Sequence, residues 1–123
     1  MSEKRIETFE EFWPYYVGEH RKPLTRGLHY LGTSAALISA VLGAFTLNGW
    51  LVLIAPVLGY GPAWIGHFFV ERNKPATFTY PGWSFLSDMK MVRLALRGKM
   101  AAEVTRLYGS PAPAPDAPCL AKA

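Results

Sequence analysis

The chain has 123 residues, half of them hydrophobic, with 13 basic and 9 acidic side chains and a formal net charge of +4. This length allows one domain at most, and the single cysteine, Cys119, excludes an intramolecular disulfide. The basic excess is small, so nucleic acid is not an expected partner. Residues 1–12 are rich in charge, and we therefore expect no cleaved signal peptide.

The first predicted element is an amphipathic helix over residues 6–19. Thr8-x-x-Glu11 matches a capping box, and Pro14 is expected to kink the helix or shift its start. The helix is expected to end at Lys22-Pro23, because the residue before a proline avoids the helical region. Its aromatic side chains suit either the lipid headgroup layer or packing against the rest of the protein. The apolar positions at helical spacing are Phe9, Phe12, Trp13 and Tyr16.

A stretch without any charged residue runs from Tyr30 to Val70, with Asn48-Gly49 near its middle. A membrane-spanning helix needs roughly 20 apolar residues, so the stretch accommodates two spans, at about residues 28–47 and 49–70. The alternative is the buried helical hairpin of a soluble bundle, but a soluble helix keeps one polar face and neither segment has one. The sequence therefore predicts an all-α fold built on a membrane helical hairpin with two spans.

The two spans differ in regularity. Small residues recur along the first span and permit the close approach of another helix. The second span contains Pro56, Gly59, Gly61 and Pro62, which are expected to kink or partly unwind it. This irregularity serves either packing or a lipid-accessible cavity. Basic residues flank both ends of the hairpin and none lies at its turn, so both termini are expected in the cytoplasm, at a bacterial inner membrane.

Beyond the hairpin, residues 84–97 are predicted to form a C-terminal interfacial amphipathic helix. A short helix is expected to follow as far as Tyr108, and the Pro/Ala-rich residues 109–123 are predicted to form a disordered tail. The predicted organisation is one membrane-embedded domain over residues 1–108 followed by this tail. In the interfacial helix the apolar side carries Phe85, Leu86, Met89, Val92 and Leu96, and the basic side carries Lys90, Arg93 and Arg97.

The chain has three histidines, His20, His29 and His67. His29 and His67 lie equally far along the chain from Asn48, so both imidazoles reach the same depth if the hairpin folds back there. Ionisable groups at membrane depth are costly and usually functional, and a break at Pro23 would let His20 approach the other two. Imidazole binds iron, zinc, copper and nickel, so the pattern predicts a metal site without deciding the metal. The alternative is three packed or hydrogen-bonded histidines.

Several segments between residues 9 and 90 resemble one family. They include Phe12-Trp13-Pro14-x-Tyr16 with Glu19-His20, Arg26-x-x-His29-x-x-Gly32, the run GHFFVERNKPATF over residues 66–78, Pro81-x-Trp83-Ser84 and Asp88. In these segments the sequence resembles the membrane 2-hydroxy fatty acid dioxygenases. That family comprises fungal enzymes of phytosphingosine catabolism and small bacterial relatives long described as a domain of unknown function.

The resemblance implies an oxidoreductase of lipid metabolism that uses Fe(II) and dioxygen to shorten 2-hydroxy fatty acids by one carbon, a fatty acid alpha-oxidation. It implies His20, His29 and His67 as catalytic residues and iron ligands. Glu71, four residues after His67, would be a further metal ligand or would orient one histidine. Residues expected to bind the substrate are Arg26, Arg72, Asn73 and Lys74, although each charge could instead serve membrane orientation.

Two other functions remain open from the sequence. One is a non-enzymatic membrane hairpin that binds lipid or acts as a scaffold, with the histidines packed or sensing pH. The other is a metal-dependent lipid hydrolase or cyclase, since zinc could occupy the same ligands together with a water. A homo-oligomer is compatible with each of these functions.

Overall fold

The computed structural model describes residues 5–120 of the chain. Five α-helices follow one another over these residues, and no residue between 5 and 120 lies in a β-strand. A π-helix over Gly66–Glu71 extends the third helix, and a 3-10 turn occupies Ala76–Phe78. The predicted all-α fold is confirmed. The helices are α1 (Phe9–Gly18), α2 (Pro23–Thr46), α3 (Gly49–Ile65), α4 (Pro81–Leu96) and α5 (Met100–Tyr108).

The chain divides into two compact units. The hairpin unit, Lys22–Pro75, contains α2, α3 and the π-helix. The flanking unit combines Met1–Arg21 with Ala76–Ala123 and contains α1, α4 and α5. Compactness does not decide whether a unit folds by itself, so the predicted organisation, one domain over residues 1–108 and a tail, stays a prediction.

In the flanking unit, α1 begins where a side chain caps it. The Thr8 hydroxyl accepts a hydrogen bond from the Glu11 N–H at 3.2 Å, which is half of the predicted capping box. The helix continues through Pro14 and ends at Gly18, so it is shorter at both ends than the predicted residues 6–19. The apolar core of this unit is Phe12, Trp13, Tyr16, Val17, Ala76, Met91, Met100, Val104, Leu107 and Tyr108.

The interfacial helix predicted over residues 84–97 is α4, which starts three residues earlier. Pro81 occupies its first turn, where a missing N–H leaves no hydrogen bond unmade. The buried side of α4 carries Ser84, Ser87 and Met91. Its large exposed apolar side chains are Phe85, Leu86 and Leu96.

Beyond α5 the described part of the tail, residues 109–120, forms turns and bends without a helix. Leu120 N–H donates to the Leu107 carbonyl at 2.7 Å, and the Arg21 guanidinium donates to the carbonyls of Ala114 and Ala117 at 2.7 and 2.9 Å. The last three residues of the predicted disordered tail lie outside the described residues.

In the hairpin unit, α2 begins with Pro23 in its first turn, five residues before the predicted start of the first span. It ends at Thr46, and the next residue, Leu47, has a left-handed φ of 55° that reverses the chain. The Asn48 side chain then accepts a hydrogen bond from the Trp50 N–H at 3.1 Å and caps α3. Two helices, Pro23–Thr46 and Gly49–Glu71, are long and apolar enough to cross a membrane, as the sequence predicts.

The two helices approach closely at small residues. A Cβ atom on Gly32 would lie 2.8 Å from the Gly59 carbonyl oxygen, and one on Gly43 would lie 2.8 Å from a Val52 methyl group. These glycines therefore permit the helix contact, as predicted for small residues in a hairpin. The helical assignment of α3 continues without a break through Pro56 and Pro62, and the backbone leaves α geometry only over Gly66–Glu71.

Candidate metal centre

Two of the three histidines meet inside the hairpin unit. His29 lies in the second turn of α2, His67 lies in the π-helix, and both are buried. Their Nε2 atoms are 3.2 Å apart, and the two rings are nearly perpendicular, at 87°. The depth argument from the sequence predicted that these residues reach the same level, and the hairpin unit brings them into direct contact.

The π-helix and the turn after it hold His67. The N–H groups of Arg72 and Asn73 both donate to the His67 carbonyl, the second at 2.9 Å. Arg72 adopts a left-handed φ of 62°, which turns the chain so that the Asn73 side chain faces the His67 ring. Asn73 Oδ1 accepts a hydrogen bond from His67 Nδ1 at 2.7 Å. Single-turn π-helices are rare and occur often at functional sites.

This contact assigns the proton on the His67 ring. An amide oxygen only accepts hydrogen bonds, so Nδ1 carries the proton and Nε2 presents a lone pair to His29. In the metal-free protein the short contact between the two Nε2 atoms then requires a proton on His29. A metal ion held at His29 Nε2 would displace that proton, which would have to move to Nδ1 for the ligand to stay neutral.

The third histidine, His20, belongs to the flanking unit, and only Arg21 separates it from the start of the hairpin unit. It is fully buried, and its ring lies 4.2 Å from the ring of Tyr16. Its Nδ1 donates to the Tyr16 carbonyl at 2.6 Å. A carbonyl cannot donate, so here too the proton lies on Nδ1 and Nε2 presents its lone pair.

The three histidines form a group that could hold a metal ion, because one ring nitrogen of each lies within 4.8 Å of the others. Ligand atoms about 2.1 Å from one ion stand about 3.0–3.4 Å apart at angles between octahedral and tetrahedral, and the His29–His67 distance of 3.2 Å falls in that range. A metal-binding histidine usually donates its other N–H to a carbonyl or carboxylate. His20 and His67 both make such a bond, so the residues present fit a metal centre.

Glu71 connects the two helices of the hairpin unit. Its Oε2 atom accepts hydrogen bonds from the Lys22 N–H at 2.7 Å and from the Thr25 hydroxyl at 2.6 Å. The start of α2 has no cap from its own side chains, and an anionic group stabilises a helix at this end. The carboxylate thus has a structural role at the start of α2, and its predicted role as a metal ligand stays a prediction.

The predicted substrate-binding residues separate into two positions within the hairpin unit. Arg72, Asn73 and Lys74 line an open hollow of about 510 Å³ together with Phe68 and Phe69. The fourth predicted residue, Arg26, does not line this hollow. It is buried on α2, where it hydrogen-bonds Tyr30 one turn further along the helix.

Sequence reasoning missed two contacts at this centre. The sequence predicts Asn73 as a substrate-binding residue and gives no sign of its hydrogen bond to His67. The one available hint is that Asn73 follows His67 closely in the chain. The hydrogen bond from His20 to the Tyr16 carbonyl had no signal in the sequence, because every residue has a backbone carbonyl. An aromatic residue four positions before His20 indicated a shared helix face and nothing more.

Comparison with known proteins gives one match. A family model described as 2-hydroxy-palmitic acid dioxygenase Mpo1-like matches residues 6–100. No curated protein and no solved structure gives a significant match. The matched segment includes all three histidines and the residues that line the hollow.

Proposed function

Because the chain belongs to the 2-hydroxy-palmitic acid dioxygenase Mpo1-like family, we propose that it is an Fe(II)-dependent dioxygenase that shortens 2-hydroxy fatty acids by one carbon. The family name suggests both the reaction and the substrate. The observation that carries the proposal is the 3.2 Å approach of the His29 and His67 Nε2 atoms, with His67 Nδ1 bonded to Asn73. The hydrogen bond at Nδ1 leaves the Nε2 lone pair of His67 directed toward His29, an arrangement of two imidazoles that is suited to binding a metal ion.

The proposed iron ligands are the Nε2 atoms of His20, His29 and His67. Three imidazoles are compatible with ferrous iron, which would supply dioxygen activation and have coordination positions left for substrate and dioxygen. The protein's own contribution is to fix the ligand tautomers. The Tyr16 carbonyl keeps the proton of His20 on Nδ1, and Asn73 does the same for His67.

The hollow in the hairpin unit is the proposed entry point of the substrate. Arg72 and Lys74 offer cations for the fatty-acid carboxylate, and Phe68 and Phe69 offer apolar surface for the acyl chain. A pocket for an amphiphile needs this combination of a few polar groups and an apolar lining. His67 directly precedes Phe68 in the chain, so the hollow adjoins the residue proposed to hold iron.

The proposed location is the membrane, with both termini in the cytoplasm. Only 28% and 22% of the most apolar parts of the two candidate spans are buried, whereas the core helix of a soluble protein is mostly buried. Large exposed apolar patches indicate contact with another apolar phase. Side chains that would face lipid include Leu31, Ile38, Phe45, Trp50, Leu53 and Val57.

The decisive experiment is metal analysis of the detergent-purified protein, prepared without oxygen. We expect about one iron per chain in the natural protein, and none in a variant with His20, His29 and His67 all replaced by alanine. A double Arg72→Gln/Lys74→Gln variant is the matched control, since it should retain iron and require more substrate for half-maximal oxygen consumption. Oxygen uptake should depend on 2-hydroxypalmitate and not occur with palmitate.

The other outcomes of this experiment have definite meanings. Zinc in place of iron would favour a hydrolase or cyclase. No metal in either protein after treatment with Fe(II) would leave a non-enzymatic hairpin as the better explanation. Iron that survives the triple substitution would show that the ligand assignment is wrong.

A further inference from the structure

The exposed side of α4 combines large apolar side chains with arginines. Phe85 and Leu86 are 58% and 55% exposed, and Leu96 is 83% exposed. Arg93 and Arg97 are exposed as well. Successive residues turn by about 100° around a helix, so all of these side chains lie within about 120° of its circumference. Apolar and basic side chains thus share one surface, the α4 face, although the sequence pattern predicted them on opposite sides.

Lys90, the third basic residue predicted for this helix, belongs to the packing inside the flanking unit. Its Nζ atom lies 4.3 Å from the centre of the Trp13 ring and 5.7 Å from the centre of the Phe9 ring. Both rings belong to α1, and a cation over an aromatic face is attracted to it. Lys90 therefore helps to hold α4 against α1, and its charge does not belong to the α4 face.

The charges of Arg93 and Arg97 are available to a partner. Neither arginine forms an ion pair with any residue between 5 and 120. The exposed arginine of α5 differs, because the Arg106 guanidinium donates to the Glu103 carboxylate at 2.7 and 2.9 Å. The α4 face thus has two exposed cations beside its apolar side chains and no acidic group that neutralises them within the described chain.

The neighbouring helix α5 has an ordinary water-facing surface. Its larger apolar residues, such as Val104 and Leu107, are buried. Small or polar residues occupy its exposed positions, so the flanking unit exposes large apolar groups on α4 and not on α5. The exposed positions of α5 are Ala101, Ala102, Thr105 and Arg106.

We propose that the α4 face docks on an anionic phospholipid surface, an inference that goes beyond the proposed reaction and rests on the proposed membrane location. Amphipathic helices that lie on membranes bury an apolar side near the acyl chains and are attracted to anionic lipids. Arg93 and Arg97 would bind headgroup phosphates, for which a guanidinium is well suited. A second copy of the chain is a poorer partner, because the same face of another copy offers these arginines no anion.

The chain itself keeps α4 within reach of such a surface. The second candidate span ends at Glu71 and α4 begins at Pro81, so residues 72–80 form the whole connection. A connection of this length extends at most roughly 35 Å. The cytoplasmic leaflet, the proposed side of both termini, is the one that carries anionic lipids.

A fluorescent label on the α4 face tests this docking. Gly82 is exposed, a Cβ atom added there meets no atom within 4 Å, and it lies one turn before Leu86 on the same side. The full-length Cys119→Ala/Gly82→Cys protein would carry a bimane label in vesicles whose lipids bear nitroxide quenchers on their acyl chains. We expect strong quenching when phosphatidylglycerol is mixed with phosphatidylcholine, and weaker quenching in phosphatidylcholine alone. A label at Ala102→Cys on α5 should be quenched little in either.

Charge substitutions on the same helix identify the groups that bind lipid. Removing one cation near an anionic surface should lower the ratio of docked to undocked α4 about fivefold, so Arg93→Gln should lose quenching, and Arg93→Gln/Arg97→Gln should lose more. Lys90→Gln is the matched control, since it removes the same charge from α4 but not from the α4 face. It should keep the quenching while lowering the Tm, whereas the arginine variants should keep the Tm.

Four results would overturn the inference. Quenching that is equal with and without phosphatidylglycerol would refute an anionic partner. An equal loss of quenching in Lys90→Gln and Arg93→Gln would indicate a general effect of charge. A Gly82 label shielded from both the nitroxide lipid and aqueous iodide would mean that protein, such as a second copy, covers the face. A protein that does not float with the vesicles would refute the membrane location together with this inference.

Discussion

Asn73 is the residue on which the proposed metal centre depends most directly apart from the histidines. Its backbone N–H donates to the His67 carbonyl at 2.9 Å, and its side chain accepts from the ring at 2.7 Å. One residue thus holds both the backbone and the tautomer of His67. Partners of this kind orient ligands and tune their affinity for a metal.

Replacing Asn73 tests that role. Asn73→Leu removes the acceptor while keeping a side chain of similar size, so we expect metal affinity to fall by about 10- to 100-fold. Asn73→Asp keeps an oxygen at this position and should retain most of the affinity. A competition titration with a chelator of known strength measures the difference, and equal affinity in the leucine variant would contradict the role.

At the scale of the helices, the α2–α3 contact is set by glycines. A Cβ atom on Gly32 would meet two backbone oxygens of α3, those of Gly59 at 2.8 Å and Leu58 at 3.0 Å. Backbone atoms cannot rotate away as the end of a side chain can. The helices must therefore move apart to admit even a methyl group here.

Gly32→Ala should accordingly destabilise the hairpin unit, by about 1–3 kcal/mol. Gly27→Ala, on the same helix, is the matched control, because no described atom outside the neighbouring helix backbone lies within 4 Å of its added Cβ and alanine favours a helix. Thermal unfolding followed by circular dichroism in one detergent compares the two variants. If Gly32→Ala were as stable as Gly27→Ala, the two helices would be less closely packed than the 2.8 Å between a Gly32 Cβ and the Gly59 carbonyl oxygen implies.

A second link between elements lies in the flanking unit, where Glu103 of α5 contacts α1. Its carboxylate accepts from Trp13 Nε1 at 2.7 Å and from the Arg106 guanidinium at 2.7 and 2.9 Å. The hydrogen bonds from Arg106 lower the pKa of Glu103 below its ordinary value of 4.5, with Trp13 adding to the effect and burial opposing it. The folded state therefore favours the charged carboxylate.

This shift predicts a loss of stability in acid. A lowered folded-state pKa contributes stability that is fully present above the ordinary value of 4.5 and is lost as the pH falls through the folded-state pKa. Glu103→Gln should flatten the pH dependence of unfolding in that range, and Glu10→Gln, on the exposed side of α1, should not. Denaturant unfolding of the protein between about pH 3 and pH 7, a range that extends to both sides of the ordinary glutamate pKa, checks this when followed by a signal from the flanking unit. Identical slopes in the two variants would contradict it.

At the scale of the whole molecule, the main feature is the apolar surface that the hairpin exposes. Both candidate spans leave most of their apolar side chains exposed, and basic residues lie on the chain beyond both ends of the hairpin. These charges favour the cytoplasmic side for both termini, with the Asn48-Gly49 turn on the opposite side.

Cys119 makes this topology measurable, because it is the only cysteine and is exposed. A membrane-impermeant maleimide should label it in permeabilised bacteria and leave it unlabelled in intact ones. A Cys119→Ala/Gly49→Cys variant should show the reverse, since Gly49 lies at the turn and has space around its Cβ. Labelling of Cys119 in intact cells would contradict the proposed orientation.

Most of the fold could be predicted from the sequence because its signals are local. The uncharged stretch from Tyr30 to Val70, the Thr8 and Asn48 caps and the small residues of the first span each act over a few neighbouring residues. The same local signals placed the helix boundaries only to within a few residues, since a proline such as Pro23 or Pro81 can begin a helix earlier than the hydrophobic pattern indicates.

The sequence by itself determined an all-α chain with a candidate membrane hairpin, and it singled out three histidines as a metal site. Only the tertiary structure decided that the Nε2 atoms of His29 and His67 face each other, 38 positions apart in the chain. It also decided that Asn73 holds the His67 ring and that the Ser84 and Ser87 side chains are buried. The physical reason is that hydrogen bonds and close contacts depend on distance in space, whereas hydropathy and capping signals depend on distance along the chain.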